Sequence, residues 1–200
     1  GAKNAALPIL AACLLCEEEV VLRNVSQLRD IHAMLTLLQR LGVNYAWADD
    51  GSLKMRVEDE MNCHSEYELV SKMRASVCVL GPLLAKRKRA QVAMPGGCAI
   101  GSRPVDLHVM AMESLGADSD LVNGDIMLRS KKLRGTEMFL GGAFGSSVTA
   151  TANAVMAATL ADGRTVIESA ACEPEITDLC DFLNACGAQI NGQGINAILN

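Results

Sequence analysis

Apolar residues recur along this chain in one phrase, repeated three times. After Ser26-Gln27-Leu28-Arg29-Asp30, the positions Met34, Leu37 and Leu38 lead to Leu41-Gly42-Val43. After Arg103-Pro104-Val105-Asp106-Leu107, Met110 and Met112 lead to Leu115-Gly116-Ala117. After Glu173-Pro174-Glu175-Ile176-Thr177-Asp178, Leu179, Phe182 and Leu183 lead to Cys186-Gly187-Ala188. Spacings of three and four put the apolar side chains on one helical face, and a glycine just past the pattern suits a left-handed helix stop. Each copy therefore predicts an amphipathic helix, a stop and a strand.

A second phrase precedes each copy. Ala11 to Leu15 runs into Val20-Val21-Leu22, Leu80 to Ala85 into Gln91-Val92-Ala93-Met94, and Val155 to Ala161 into Thr165-Val166-Ile167. Each is a small-residue helix, a polar turn and a β-rich strand. Repetition at a near-constant period indicates stacked copies of one supersecondary unit, here two helices with about four short strands. The Ala- and Gly-rich helices can approach closely inside the fold, which leaves the strands to form outer sheets. No Pro/Gly-rich linker separates the copies, so residues 1–200 read as a single α/β (α+β) domain with pseudo-threefold symmetry.

Composition changes this picture little. Half the residues are apolar but only 3% are aromatic, so the core is built from Ala, Val, Ile, Leu and Met. A net charge of −5 argues against nucleic acid as a partner, and Lys86-Arg87-Lys88-Arg89 reads as a solvated turn. The longest apolar run, Ala5 to Cys16, falls short of the ~18 residues of a membrane span. Leu10-Ala11-Ala12-Cys13 resembles a lipoprotein cleavage box with Lys3 as its basic region, but Pro8 breaks a run too short for a signal peptide. The start at Gly1 reads as an excised or truncated piece. Eight cysteines with no export signal are expected to be reduced thiols in the cytoplasm. Cys13-Leu14-Leu15-Cys16 has CxxC spacing, and Cys63-His64 could complete a zinc set on paper. No second ligand pair has finger spacing, however, and Cys13 and Cys16 read as small buried hydrophobes of a helix, so no metal is expected. Cys172, Cys180 and Cys186 read the same way.

The chemistry is concentrated in Pro95-Gly96-Gly97-Cys98-Ala99-Ile100-Gly101-Ser102-Arg103-Pro104-Val105-Asp106-Leu107-His108. Cys98 stands on a glycine-flanked turn able to move and to approach a ligand, and Arg103 follows just ahead of a helix. Cationic and helix-N-terminal surroundings favour anions and perturb a thiol's acidity. The residues alone leave two readings: acid–base or nucleophilic chemistry beside a phosphorylated substrate, or an incidental surface cysteine.

Taken with Gly1-Ala2-Lys3-Asn4-Ala5-Ala6-Leu7-Pro8, Lys72-Met73-Arg74-Ala75-Ser76, Ala157-Ala158-Thr159-Leu160-Ala161 and Glu173-Pro174-Glu175-Ile176, this stretch resembles the UDP-N-acetylglucosamine enolpyruvyl transferase family along essentially the whole chain. The resemblance implies one lobe of an inside-out α/β barrel made of three βαβαββ units. It also implies enolpyruvyl transfer from phosphoenolpyruvate to the 3′-hydroxyl of UDP-N-acetylglucosamine, with release of phosphate, at the start of peptidoglycan precursor synthesis. The family uses a tetrahedral intermediate and no metal or organic cofactor. Cys98 matches the loop cysteine that acts as general acid and is the target of fosfomycin. Lys3 and Asn4 match residues that contact phosphoenolpyruvate and the sugar nucleotide. Arg74 matches a nucleotide-site arginine, and Arg103, Pro104, Val105, Asp106 and Leu107 match the stretch that holds the uridine diphosphate. Several negative charges in one cleft need Lys3, Arg74 and Arg103 to balance them.

Gly145-Ser146-Ser147-Val148-Thr149 departs from the family's Lys followed by Ser-Val-Gly. Ser147 and Val148 keep the match, Gly145 lacks the charge and Thr149 adds bulk, which leaves Gly145, Ser146, Ser147 and Val148 a backbone-amide role. The family also carries a second lobe, absent here, that supplies a general-base aspartate, so the chain by itself is expected to lack turnover. Two alternatives stand beside this reading: a non-catalytic sugar-nucleotide-binding module, and a lobe of the sister shikimate-3-phosphate enolpyruvyl transferase, in which the loop cysteine is not expected.

Overall fold

The computed structural model describes residues 1–70, 73–94, 105–142, 145–193 and 197–199. The first unit begins with α1 (Lys3–Ala12), extended by a 3-10 turn at Cys13–Leu15 that leads to β1 (Val20–Leu22). It continues with α2 (Arg29–Arg40), β2 (Val43–Trp47) and β3 (Leu53–Val57). The second holds β4 (His64–Ser65), the short α3 (Tyr67–Val70) and a 3-10 turn at Arg74–Val79 that runs into α4 (Leu80–Arg87). After it come β5 (Arg89–Ala93), α5 (Asp106–Ser114), β6 (Asp118–Val122) and β7 (Asp125–Arg129). The third holds β8 (Glu137–Phe139), a small hairpin of β9 (Gly141–Gly142) and β10 (Gly145–Ser146), then α6 (Val148–Ala158). It closes with β11 (Thr165–Glu168), α7 (Pro174–Ala185), β12 (Ile190–Asn191) and β13 (Ala197–Leu199).

The strand orders β4-β5-β7-β6 and β12-β13-β11-β8 describe one topology twice. In each sheet a leading strand runs parallel to the next (β4 to β5, β8 to β11) and the remaining pairs are antiparallel. The first sheet, β1-β3-β2, repeats the antiparallel part, with no counterpart of β4 and β8 among the described residues. The second and third units are thus βαβαββ, and the first shows αβαββ.

The expected helix stops fall at equivalent places. Gly42, Gly116 and Gly187 follow α2, α5 and α7 with φ of +86°, +93° and +104°. Each N–H donates to the carbonyl three residues back, at Gln39, Glu113 and Asn184. Left-handed backbone is cheap for glycine alone, so the residue closes the helix and turns the chain into its strand. Ala117 and Ala188 add the longer bond, donating to Met112 and Leu183. At Gly42 the carbonyl instead accepts from Glu58 and Asp59, which ties the stop to the end of β3.

The inner helices are α1, α4 and α6. Every residue from Ala150 to Ala158 is buried, as are Leu80 to Ala85 and Leu10 to Leu14. A helix apolar all round belongs in a core, and Ala and Gly let these axes come close. Gly81 lies against α6 so tightly that a Cβ there would stand 2.4 Å from the Asn153 carbonyl. Fully buried Leu10, Leu14, Leu80 and Leu83 fill the remaining volume; truncating any one to Ala costs about 2–5 kcal/mol.

Two expectations need correction. Lys86, Arg87 and Lys88 form a paired helix end, where α4's carbonyls favour cations, and Arg89 starts β5. Arg87 donates to the Asn62 and Asp59 carbonyls, Lys86 meets Glu17 at 2.9 Å, and Lys88 returns to the Ala85 carbonyl. The cysteines also divide: Cys13, Cys78 and Cys180 are buried, but Cys172 and Cys186 are exposed, because they sit where α7 begins and ends.

Candidate functional site

The nominated residues concentrate at helix beginnings. Lys3 and Asn4 open α1, whose first turn has no side-chain cap and no acidic residue. Arg74 opens the 3-10 turn that leads into α4, likewise without a side-chain cap. Ser147 is the N-cap of α6, accepting the Ala150 N–H at 3.3 Å, and Val148 is its first residue. Val105 precedes α5, where Asp106 and Leu107 form the first turn. Cys98, Arg103 and Pro104 lie outside the described residues.

The inner helices run in one direction. α1 packs on the 3-10 turn at 74–79, while the turn that ends α1 packs on α4. Their other ends meet at a cavity of about 640 Å3 lined by Leu15, Glu17, Lys86, Thr159, Leu160 and Cys186, among others. Among the described residues, none of those nominated lines this cavity. It lies at the carbonyl ends of the helices with Glu17, Glu18 and Glu19 at its wall, an environment that repels phosphates. The amide ends, where Lys3, Asn4, Arg74, Ser147 and Val148 stand, carry the partial positive charge that anions seek.

One nominated residue, Leu107, lies beside the strand that pairs with nominated Gly145. The Gly142–Gly145 pair of the small hairpin lies beside Leu107: a Cβ on Gly142 would stand 3.3 Å from Leu107 Cδ1. Gly145 has φ +89°, a backbone that suits glycine and disfavours the lysine of the family pattern. Lys3 Nζ rests on Asp30 Oδ2 at 2.7 Å, with both side chains more than a third exposed. That ammonium can leave a solvated pair for a phosphate at little cost.

Residues that sequence reasoning passed over hold these segments together. His108 is 4% exposed and its ring joins two helices. Nδ1 lies 2.8 Å from Asn153 Nδ2, and Nε2 lies 3.2 Å from Thr149 Oγ1. Asn153 Nδ2 also donates to the Val77 carbonyl at 2.9 Å, while its Oδ1 accepts the Gly81 N–H at 2.7 Å. With the amide so oriented, Nδ1 must accept, which assigns the proton to Nε2 and makes Thr149 an acceptor. Thr149 therefore does more than add bulk: it ties the start of α6 to α5. The signal was present in the sequence, since His108 and Asn153 are polar residues inside apolar helices and buried polar groups need partners.

Known proteins agree with this architecture. The family model described as EPSP synthase (3-phosphoshikimate 1-carboxyvinyltransferase) matches residues 1–199. A UDP-N-acetylglucosamine 1-carboxyvinyltransferase of Coxiella burnetii is 50% identical over 200 residues, covering all of this chain and 45% of that protein. One from Methylacidiphilum infernorum is 46% identical over 199 residues, covering 100% of this chain and 47% of that protein. The chain thus spans about half the length of the curated relatives it matches. The crystal structure of the enolpyruvyl transferase NikO from Streptomyces tendae superposes with a TM-score of 0.85 at 16% identity, over 100% of this chain and 46% of that one. EPSP synthase from Acinetobacter baumannii gives 0.76 at 15%, over 100% and 46%. At such identities the structural likeness speaks for the fold.

Proposed function

Because the chain belongs to the EPSP synthase (3-phosphoshikimate 1-carboxyvinyltransferase) family, we propose that it is one lobe of an enolpyruvyl transferase whose acceptor is UDP-N-acetylglucosamine. The observation that carries this reading is the gathering of the nominated segments at the amide ends of α1, the 74–79 turn, α5 and α6. Identity of 50% along the whole chain to proteins named UDP-N-acetylglucosamine 1-carboxyvinyltransferase supports the amino-sugar acceptor over shikimate 3-phosphate.

In this reading Lys3 and Asn4 contact phosphoenolpyruvate and the sugar nucleotide, and Arg103 binds the uridine diphosphate. Arg74, Pro104, Val105, Asp106, Leu107 and the backbone of Gly145, Ser146, Ser147 and Val148 hold the uridine diphosphate. Charge-assisted bonds to phosphate are about twice as strong as neutral ones and strengthen further as a cleft excludes water. Cys98 donates a proton to the methylene carbon while the sugar 3′-hydroxyl attacks the adjacent carbon. Loss of phosphate from the tetrahedral adduct, with removal of a methyl proton, restores the double bond on the sugar. The reaction occurs in the cytoplasm, where both substrates are made, and needs no metal or organic cofactor. A second lobe supplies the base and closes the cleft, so the 200-residue chain alone binds without turning over.

The test is phosphate release by the full-length protein with phosphoenolpyruvate and either acceptor. Release with UDP-N-acetylglucosamine and none with shikimate 3-phosphate is expected. The opposite preference would assign the sister reaction, and nucleotide binding without release would make the protein a binding module.

A further inference from the structure

The cavity at the carbonyl ends of the inner helices contains a pair of thiols that the transfer reaction does not use. Cys16, at the end of the 3-10 turn after α1, and Cys186, at the end of α7, place their Sγ atoms 3.9 Å apart although 170 positions separate them. Both line the cavity, together with Lys86 and Glu17, Glu18 and Glu19. Cys186 is exposed and Cys16 half-buried, so a reagent in the cavity reaches Cys186 first. The backbone on each side is anchored: the Cys16 N–H donates to the Cys13 carbonyl, and the Cys186 N–H donates to the Phe182 and Leu183 carbonyls.

We propose that Cys16 and Cys186 are a dithiol modification site, oxidised to an intramolecular disulfide by small neutral or cationic disulfides. The Cys186 thiolate attacks one sulfur of the reagent, forming a mixed disulfide and releasing one thiol. Cys16, having lost its proton to solvent, then attacks the Cys186 sulfur and expels the second thiol. Two protein thiols and one reagent disulfide thus become one protein disulfide and two small thiols, with the two electrons passing to the reagent.

The surroundings favour this order. Burial pushes the Cys16 thiol up to about 12, helped by the neighbouring charge and hydrogen bond of Cys186, while Lys86 lowers it. Once Cys186 is capped, its charge and hydrogen bond are gone while burial and Lys86 remain, so the first step removes two of the three influences that hold the Cys16 proton. Cys13 is the other nearby thiol, but it is buried and turned back onto the Ile9 carbonyl at 3.4 Å. The bond would join the first unit to the third, the two that are not consecutive in sequence, and close the ring of three units. The glutamates at the cavity wall select against anionic reagents.

The chain is treated with cystamine, a cationic disulfide, then digested without reduction and mapped by mass spectrometry. A Cys16–Cys186 cross-linked peptide is expected, together with a rise in Tm of about 10 °C from so long a closed loop. Cys16→Ser should stop at a stable adduct on Cys186, and Cys186→Ser should leave Cys16 unmodified. Oxidised glutathione, which is anionic, should react at least about tenfold more slowly. Stable adducts on both wild-type cysteines, a link from Cys186 to Cys13 or Cys172, or a disulfide between two chains would overturn the assignment. Should Cys16→Ser fold poorly, the wild-type map and exposed Cys186→Ser still decide.

Discussion

His108 Nδ1 stands 2.8 Å from the Asn153 side-chain amide, and through that contact α5 is held against the most buried helix of the fold. Asn153 in turn holds the start of α4 through Gly81 and Val77. Three segments that the proposed site needs are therefore positioned by one buried amide.

Removing that amide should cost stability. Asn153→Ala leaves the Gly81 N–H, the Val77 carbonyl and His108 without this partner, and unsatisfied buried groups cost about 1–3 kcal/mol each. A loss of about 3 kcal/mol is expected, read from urea unfolding of the 200-residue chain. A change below about 0.5 kcal/mol would show that water or a rotated neighbour replaces the network.

The three helix-stop glycines should not respond alike. At Gly187 a Cβ meets nothing within 4 Å, so Gly187→Ala should cost only the left-handed backbone, about 1–2 kcal/mol. At Gly42 a Cβ would lie 1.9 Å from the Asp59 carbonyl oxygen as well. Gly42→Ala should be the more damaging by at least about 1 kcal/mol, since the backbone of Asp59 has to move. Equal costs would mean that the turn after β3 yields freely.

Alkaline pH should weaken the fold through its buried thiols. Burial pushes the Cys78 thiol from 9.0 up to about 12 and Cys180 up to about 11. An unfolded thiol loses its proton near 9 while the folded one keeps it, so the folded state binds more protons and stability falls as pH rises from 9 towards 12. The limiting slope is about 1.4 kcal/mol per pH unit for a fully buried thiol. Urea midpoints between pH 8 and 10.5 should decline, and Cys78→Ala, though less stable throughout, should decline less steeply.

Lys3 and Asp30 separate function from stability. Their ion pair is largely solvated, so Asp30→Asn and Lys3→Ala should each change unfolding free energy by less than about 1 kcal/mol. In the full-length protein Lys3→Ala should nevertheless reduce kcat/KM for phosphoenolpyruvate by at least about tenfold, the equivalent of one charge-assisted bond. Unchanged kinetics would return Lys3 to the role of a surface cation.

The sequence by itself determined the repeat, because helix stops and strand starts are local chemistry. Gly42, Gly116 and Gly187 announce left-handed backbone wherever the chain goes, and the 3.6-residue apolar period before each needs no distant partner. It also marked Lys3, Arg74 and the Val105-Asp106-Leu107 segment, since their order along the chain carries the family pattern. Which ends of the helices come together was decided only in three dimensions. That the starts of α1, the 74–79 turn and α6 share one end of the fold follows from parallel packing of helices that are far apart in sequence. The contacts of His108 with Asn153 and of Cys16 with Cys186 cross 45 and 170 positions, distances over which no local preference acts. Buried polar groups must find partners and adjacent thiols must share space, but only the packed core chooses which.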